Sequence, residues 1–482
     1  MIVPDMGLLW AVWITSAALW LGLSVLVVRR WKLPQPPAPW IILGVAAAVR
    51  VGYVLLMPPA LSDDIWRYLH DGQTLAAGQN PYVVAPLEVI EAAEAEGDAA
   101  AEAVAWMRWI NNPELVTIYL PTSQWVFAAI SKACDVLAGG DCGVMARQRA
   151  FRLVFAAADL LIAGLLIARL KAAGRSAWWA VLFAWSPLVI AETSWSGHQD
   201  GIGIALLVGG LMLAERGTRL AATGSDPGGG KGSWSALLWA GALLGLAAGV
   251  KPIVLPLALP LGWGLVRECG FKQGMKRTAA ACGVGVAVLL ALYVPFLLMD
   301  GGMTGLFETS RYFVETWRFN GSIHALVEWT VRPALGGEPW EVATRAKSIA
   351  DAVCGGLLVL VLLISSGFQR DVWRVGATLF FALVCLTSTV HPWYLLWAAA
   401  LLPVAWAGVR EDVKSFRGLV VGPAVWVATL TLPWSYVAWV NYANGGAFDG
   451  EYQPGLAVTW MVWVPVYVAL GWGVMRRKAP GG

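Results

Sequence analysis

Charge is scarce in this chain. Asp, Glu, Lys and Arg make up 13% of its 482 residues, while 58% are hydrophobic, and soluble domains carry about twice that charged share. With a mean hydropathy of +0.64, the composition excludes the water-soluble multidomain enzyme that this length would otherwise suggest. An excess of one charge sign is missing too. The 34 basic and 31 acidic residues leave a net +3, and no Lys/Arg block forms an arm for nucleic acid, so nucleic acid is not expected as a partner. Cysteine is sparse, and six residues do not make a disulfide framework. Cys269, Cys282, Cys354 and Cys385 lie in or beside apolar runs and read as small hydrophobes. Cys134 and Cys142 would pair if their loop faces an oxidising compartment. The first apolar run, Gly7 to Val28, has no basic segment before it and is too long for a secretion signal, so it reads as a retained span.

What the sequence has instead is apolar length. Runs near the span of a bilayer recur at roughly 7–29, 39–57, 150–170, 177–195, 200–215, 234–250, 252–267, 277–299, 346–366, 373–390, 392–409, 418–438 and 456–475. The 29 tryptophans exceed what one pair of interfacial belts requires, which leaves some to line a groove and most to face lipid. One further stretch, 117–137, carries Pro121, Gln124, Lys132 and Asp135. If it does not cross, the loops on one side collect about twice as many Lys and Arg as those on the other; if it crosses, every later loop changes side and the bias reverses. It therefore reads as an interfacial or re-entrant helix.

The expected architecture is all-α and polytopic, with about 13 crossings, an external N-terminus and a cytoplasmic C-terminus. It divides into 1–57 (two spans), 58–149 (an external loop with interfacial helices), 150–299 (a transmembrane core), 300–345 (a second external loop) and 346–482 (the C-terminal spans). The Gly224–Gly232 segment is a flexible linker. The stretch Pro58–Val116 is acidic, with ten Asp and Glu against Arg67 and Arg108. Weight on one side places the expected site on the external face.

The strongest local signal is Leu61-Ser62-Asp63-Asp64-Ile65-Trp66-Arg67-Tyr68. Two adjacent carboxylates at a membrane surface are costly without a partner or a task. Ser62 or Asp63 would serve equally as the N-cap of a helix running through Ala77, but a cap needs only one such residue. The helix leads into Asp71-Gly72-Gln73 and then Gly78-Gln79-Asn80-Pro81-Tyr82, where Gly and Asn-Pro turn the chain back. Asn111-Asn112-Pro113 and Thr117-Ile118-Tyr119-Leu120-Pro121-Thr122 form a second polar and aromatic turn. The Ala/Glu-rich stretch Glu88–Glu102 reads as a solvated helix.

An apolar span followed by "SDDIWRYLHDGQTLAAGQNPY", "TIYLPTSQ" and "FRLVFAAADLLIAGLL" resembles the GT-C superfamily of polytopic glycosyltransferases, and within it the bacterial polyprenyl-phosphate-mannose mannosyltransferases. The motifs cover about the first 200 residues. The resemblance implies a bacterial plasma-membrane enzyme with an extracytoplasmic site, two juxtamembrane helices and a catalytic aspartate in the first external loop. Asp63 and Asp64 occupy that position. It further implies a donor in which mannose rides on a polyprenyl phosphate, and a glycan, glycolipid or protein acceptor. A carboxylate suits such transfer, because it takes the acceptor's proton and stabilises positive charge developing on the sugar.

Candidate substrate-binding residues in the first loop are Arg67, Tyr68, Asp71, Tyr82 and Tyr119. Ser196-Gly197-His198-Gln199-Asp200-Gly201 joins two spans, and its H-x-D pattern is similar to a second external loop of several GT-C branches. Taken bare, His198 and Asp200 are a fragment of a metal site or a helix cap beside an exposed histidine. Lys251 stands between two apolar runs and would snorkel to the surface or hold a lipid phosphate. Arg311 and Arg318 offer forks for phosphate, while Asn320, His324, Trp393 and Tyr394 offer polar and aromatic contacts to sugar. His391 opens another span from the same face and is a further candidate for the donor phosphate. No cofactor is required by a motif, although Mg or Mn between Asp63 or Asp64 and Asp200 is a chemical option. The rival reading is a secondary transporter or lipid-linked-saccharide flippase, but no repeat joins the halves and in-span charges are few, chiefly Arg50, Arg152 and Asp159.

Overall fold

The computed structural model describes residues 6–29, 38–59, 61–224, 231–407, 421–437 and 456–475. Among them the chain is all-α, and its only extended pairing is a pair of isolated bridges from Phe319 and Asn320 to Thr389. After α1 (Met6–Arg29) and α2 (Pro39–Leu56) come four shorter helices outside the spans. These are α3 (Asp64–Ala76), α4 (Pro86–Glu96), α5 (Asp98–Val104) and α6 (Pro121–Ala138). The expected Glu88–Glu102 helix is thus two, broken at Gly97, whose φ of 121° favours glycine. The core begins with α7 (Val144–Ala172), the short α8 (Val181–Ala184) and α9 (Pro187–Ile190), and α10 (Asp200–Thr223). It continues with α11 (Lys231–Ala248), α12 (Ala258–Cys269) and α13 (Phe271–Leu298). Then follow α14 (Thr304–Thr316), α15 (Ile323–Val331), α16 (Pro339–Phe368), α17 (Val372–Leu386), α18 (Leu396–Ala407) and α19 (Gly422–Thr431), with a last described helix at Leu456–Met475.

Seven described helices are long and apolar enough to cross a bilayer, and three shorter apolar ones accompany them. Ten of the thirteen expected spans fall on these helices. The other three fall on the broken segment 177–195, on α11, and on α19 with its extension to Ser435, part of whose expected interval lies outside the described residues. The basic residues Arg30, Lys32, Arg410, Lys414, Arg417, Arg476, Arg477 and Lys478, used to read the topology, also lie outside them, as does most of the Gly224–Gly232 linker.

The break at 177–195 has a physical cause. Helices α7 and α10 run parallel: Gly201 at the start of α10 sits against Asp159 and Phe155 of α7, and Arg169 near the end of α7 grips Glu215 further along α10 with a two-pronged ion pair at 2.6 and 2.9 Å. The chain between them must therefore return across the bundle. Pro187 interrupts it, and Ala191–Trp195 widen into a π-helical turn, with the Ser196 amide reaching back to the Ala191 carbonyl at 2.8 Å. Turns of this kind are costly and concentrate at functional sites.

In-span charges are paired, as burial in an apolar bundle demands. Arg50 Nε lies 3.1 Å from Asp159 Oδ2, which also accepts from Thr193 Oγ1 at 2.5 Å. Arg152 spends its guanidinium on the carbonyls of Tyr53, Met57 and Ser194, closing the ends of α2 and the π-turn. Outside the spans, α3 lies on α6 at near contact. A Cβ on Gly72 would stand 2.6 Å from Ser131 Oγ and 2.7 Å from the Phe127 carbonyl, so glycine sets how closely the two helices approach. The start of α6 is tied to the end of α11, where the Thr122 amide and hydroxyl donate to the Gly249 and Leu246 carbonyls. A disulfide joins Cys134 and Cys142 at the turn from α6 to α7, where Arg147 also holds Asp135 and Asp141.

Candidate active site

Five separate stretches meet at one end of the bundle: the N-terminus of α3, the turn before α6, the loop from the π-turn to α10, the turn after α11, and the turn before α18. Leu61, buried and with φ of 70°, precedes the acid pair. A left-handed conformation is costly for a branched residue and marks a position fixed by its surroundings. Asp63 stands at the N-cap position of α3 with its side chain making no capping bond, and Ser62 Oγ accepts from the Asp64 amide at 3.3 Å. Both carboxylates are half-buried.

They face different neighbours. Asn111 Nδ2 donates to Asp63 Oδ1 at 2.6 Å, and the other charge beside Asp63 is Arg67. Asp64 turns toward the rest of the site. It accepts from the Tyr119 hydroxyl, its Oδ2 lies 3.6 Å from His198 Nδ1, and Lys251 and Asp200 are its nearest charges. Burial, followed by the charge of Asp64, pushes the Asp63 carboxyl up to about 7. Burial also raises Asp64, opposed by Tyr119, Asn111 and Lys251. The two titrate as a pair.

Lys251 is the cation of the site. Its Nζ lies 2.5 Å from Asp200 Oδ1 and 4.8 Å from the centre of the Tyr394 ring, and about a quarter of its side chain is exposed. Asp200, at the first turn of α10, also accepts from Trp397 Nε1 at 2.7 Å. A pile of rings closes the site: His198 stacks on Trp393 at 3.8 Å, Trp393 on His391 at 4.2 Å, and His391 on Phe319 at 4.6 Å. Phe319 is held there by exchange of backbone bonds with Ser388 and Val390. Buried polar atoms without a hydrogen-bond partner lie in and around this pile, namely both ring nitrogens of His198, both amide atoms of Gln199 and Nδ2 of Asn320. Such groups call for a ligand or water.

The structure therefore gathers Asp64, Tyr119, His198, Gln199, Asp200, Lys251, His391, Trp393 and Tyr394, with Asp63 and Asn320 adjoining. Tyr68 joins through Tyr119 and the Gln199 backbone. Other expected site residues are placed differently. Arg67 is buried and donates to the Asn111, Asn112 and Leu115 carbonyls, so it shapes the turn that carries Asn111. Asp71 accepts from Gln124 at 2.9 Å between α3 and α6, and burial raises its carboxyl to about 6. Tyr82 donates to the Tyr119 carbonyl, while Asn80 before it ties the turn to Asp300 and Gly302. Arg311 is exposed and pairs with Glu315 on its own helix. Arg318 and His324 turn to Glu328, which also meets Arg332, while His324 and Lys347 share Asp351. His198 is fully buried rather than facing water.

Reading the sequence missed Asn111, Trp397 and Tyr436 as site residues; Glu192, expected only as an acid near the membrane boundary that faces protein, is fully buried as expected and adjoins the site. Glu192 carries the clearest signal, a carboxylate inside an apolar run. Its Oε2 accepts from Tyr436 Oη at 2.7 Å and lies 3.3 Å from His198 Nε2. As for a divalent cation, no three His, Cys, Asp or Glu among the described residues are placed to hold one. Asp200, the expected bridge, is engaged by Lys251 and Trp397. The donor set does not fit a metal.

Residues 5–267 match the family model described as alpha-(1->6)-mannopyranosyltransferase, N-terminal domain. Over 375 residues the chain is 27% identical to alpha-(1->6)-mannopyranosyltransferase B of Corynebacterium glutamicum, an alignment covering 74% of this chain and 57% of that protein. The chain thus spans somewhat over half the length of the curated relative it matches. No solved structure matches the chain. The matched interval contains the acid pair, the π-turn, Asp200 and Lys251, and covers more than half of the sequence: the chain belongs to the alpha-(1->6)-mannopyranosyltransferase family.

Proposed function

We propose that the protein transfers mannose from a polyprenyl-phosphate donor to a glycan, glycolipid or protein acceptor on the extracytoplasmic face of the membrane, with Asp64 as the base. The observation that carries this reading is the meeting of a partly exposed carboxylate, a partly exposed ammonium and unpartnered buried amides at one end of a membrane bundle. The family and the activity of the Corynebacterium glutamicum relative favour mannose and an α-1,6 linkage. The excess of Lys and Arg on the opposite loops favours the external side.

In the proposed step the acceptor oxygen attacks the anomeric carbon while the bond from that carbon to the phosphate oxygen breaks. The electron pair leaves with the polyprenyl phosphate, and the acceptor's proton goes to Asp64. A phosphate leaving group departs as an anion and needs a cation rather than an acid, a role suited to Lys251. Asp64 is preferred over Asp63 because it alone faces Lys251, His198 and Tyr119. Asp63, held by Asn111, raises the proton affinity of the pair. No step runs through a metal ion, so activity is expected to survive EDTA; loss that added Mg or Mn restores would reject this part.

The test compares polyprenyl-phosphate-mannose with a nucleotide-linked mannose, using the purified chain in vesicles and a mannoside acceptor. Transfer from the lipid-phosphate donor alone supports the reading. Transfer from the nucleotide donor alone, or uptake of saccharide without transfer, would overturn it.

A further inference from the structure

The groove between α11 and α13 has a volume of about 720 Å³ and begins at Lys231, the end of α11 away from Lys251 and the acid pair. We infer that it binds one anionic phospholipid of the leaflet opposite the active site. The lipid phosphate lies among Lys231, Lys276 and Arg277, and an acyl chain runs along the two helices. These helices are parallel and close, since a Cβ on Gly241 would meet the Ala281 carbonyl and one on Gly245 the Gly285 carbonyl. Beside that seam Trp234, Leu238 and Ala242 of α11 face the slot, one helical turn apart, opposite Val284 and Val288 of α13.

Length and charge decide what fits. From Lys231 to Ala242 the helix rises about 16 Å, roughly half of the ~30 Å hydrocarbon core of a bilayer. An apolar slot of that length takes a chain from one leaflet. The charge stands at one end of it only. Lys276 Nζ and the Arg277 guanidinium lie over the Trp234 ring, 5.8 and 5.2 Å from its centre, and Lys231 is one turn earlier on α11. Among the described residues no carboxylate pairs with these three cations. The side-chain oxygen that Arg277 meets is Gln273 Oε1, 3.4 Å from Nη1, and its Nε is buried without a hydrogen-bond partner. Arg169 and Arg374 differ, for they are held by Glu215 and Asp371. Snorkelling accounts for cations at a membrane surface, but it leaves the slot beneath them without a purpose. A phosphate carried on an acyl chain matches both, and basic pockets between spans hold anionic lipid headgroups in this way.

The experiment records native mass spectra of the full chain in micelles containing phosphatidylglycerol or phosphatidylcholine with the same acyl chains. One phosphatidylglycerol is expected to stay bound under conditions that strip phosphatidylcholine. Lys231→Gln, Lys276→Gln and Arg277→Gln together are expected to weaken that binding about 100-fold. Lys171→Gln, Arg216→Gln and Arg219→Gln together remove the same charge outside the groove and are expected to leave binding unchanged. Ala242→Phe fills the slot and keeps every cation. It is expected to lower phosphatidylglycerol binding about tenfold, and it decides the matter if the first triple variant does not fold. Equal retention of the two lipids, equal losses in the two triple variants, or full binding by Ala242→Phe overturns the inference. So does a doubled mass without lipid, which would put a second copy of the chain on this face.

Discussion

At the scale of single residues, Asp63 and Asp64 are neighbours in sequence with different surroundings, and those surroundings separate their roles. Asp63→Asn is expected to keep activity within about tenfold and to move the acidic limb to lower pH, because it removes the charge that disfavours ionisation of its neighbour. Inactivation by Asp63→Asn alone would exchange the two roles. The wild-type limb itself follows from the raised carboxyls. A base works deprotonated and burial raises the Asp64 carboxyl, so kcat/KM should begin to fall on the acid side at a higher pH than an unburied carboxylate would give. A profile flat down to pH 5 would contradict this. Lys251→Ala is expected to raise donor KM about tenfold, a loss of roughly 1.4 kcal/mol, and to change acceptor KM less. Equal effects on both would reject a phosphate contact.

The acid pair, Lys251 and the H-x-D loop were legible because charged residues in apolar surroundings stand out along a sequence. Their mutual contacts were not legible. The partner of Lys251 is Asp200, 51 residues away, and nothing local in the sequence announces it. Asn111 looked like a turn residue, and it is one, but its side chain also holds Asp63.

At the scale of elements, the juxtamembrane pair α3 and α6 presents the acid to the bundle, so the spacing of the pair should matter to activity. Gly72→Leu would drive a side chain into Ser131 and the Phe127 backbone. Overpacking of this kind costs about 1–3 kcal/mol. A lower melting temperature and reduced kcat with no change at the acids themselves are expected; unchanged values for both would mean that α3 is free to shift. The position of α3 and its stop at Gly78 follow from capping and turn residues, as does the start of α6 at Pro121. The π-turn could not be read in the same way. Its residues Ala191-Glu192-Thr193-Ser194-Trp195 hold no glycine or proline to mark a break, and the widening is imposed by the return path between two parallel helices.

At the scale of the whole molecule, apolar periodicity located the helices well, because a bilayer penalises any unpaired backbone and leaves helices as the solution for long apolar runs. It did less for the region 300–345, where Arg318 was expected at the donor phosphate and His324 at the sugar but both belong to an ion-pair cluster around Glu328. Surrounding cations hold the Glu328 carboxyl down to about 2 despite burial. Cysteines placed at Ala99 on α5 and at Ala173 just after α7, both exposed, should be labelled from opposite sides of sealed vesicles, Ala99 from the extracytoplasmic side. Labelling from a shared side would undo the topology and with it the placement of the site.

The most direct test of the whole account is a single-turnover measurement of mannose transfer from polyprenyl-phosphate-mannose by the purified wild-type chain and by Asp64→Asn, with both shown to bind donor equally. The account predicts measurable transfer by the wild type and a rate at least about 10³-fold lower for the variant. Equal rates for the two proteins would contradict it.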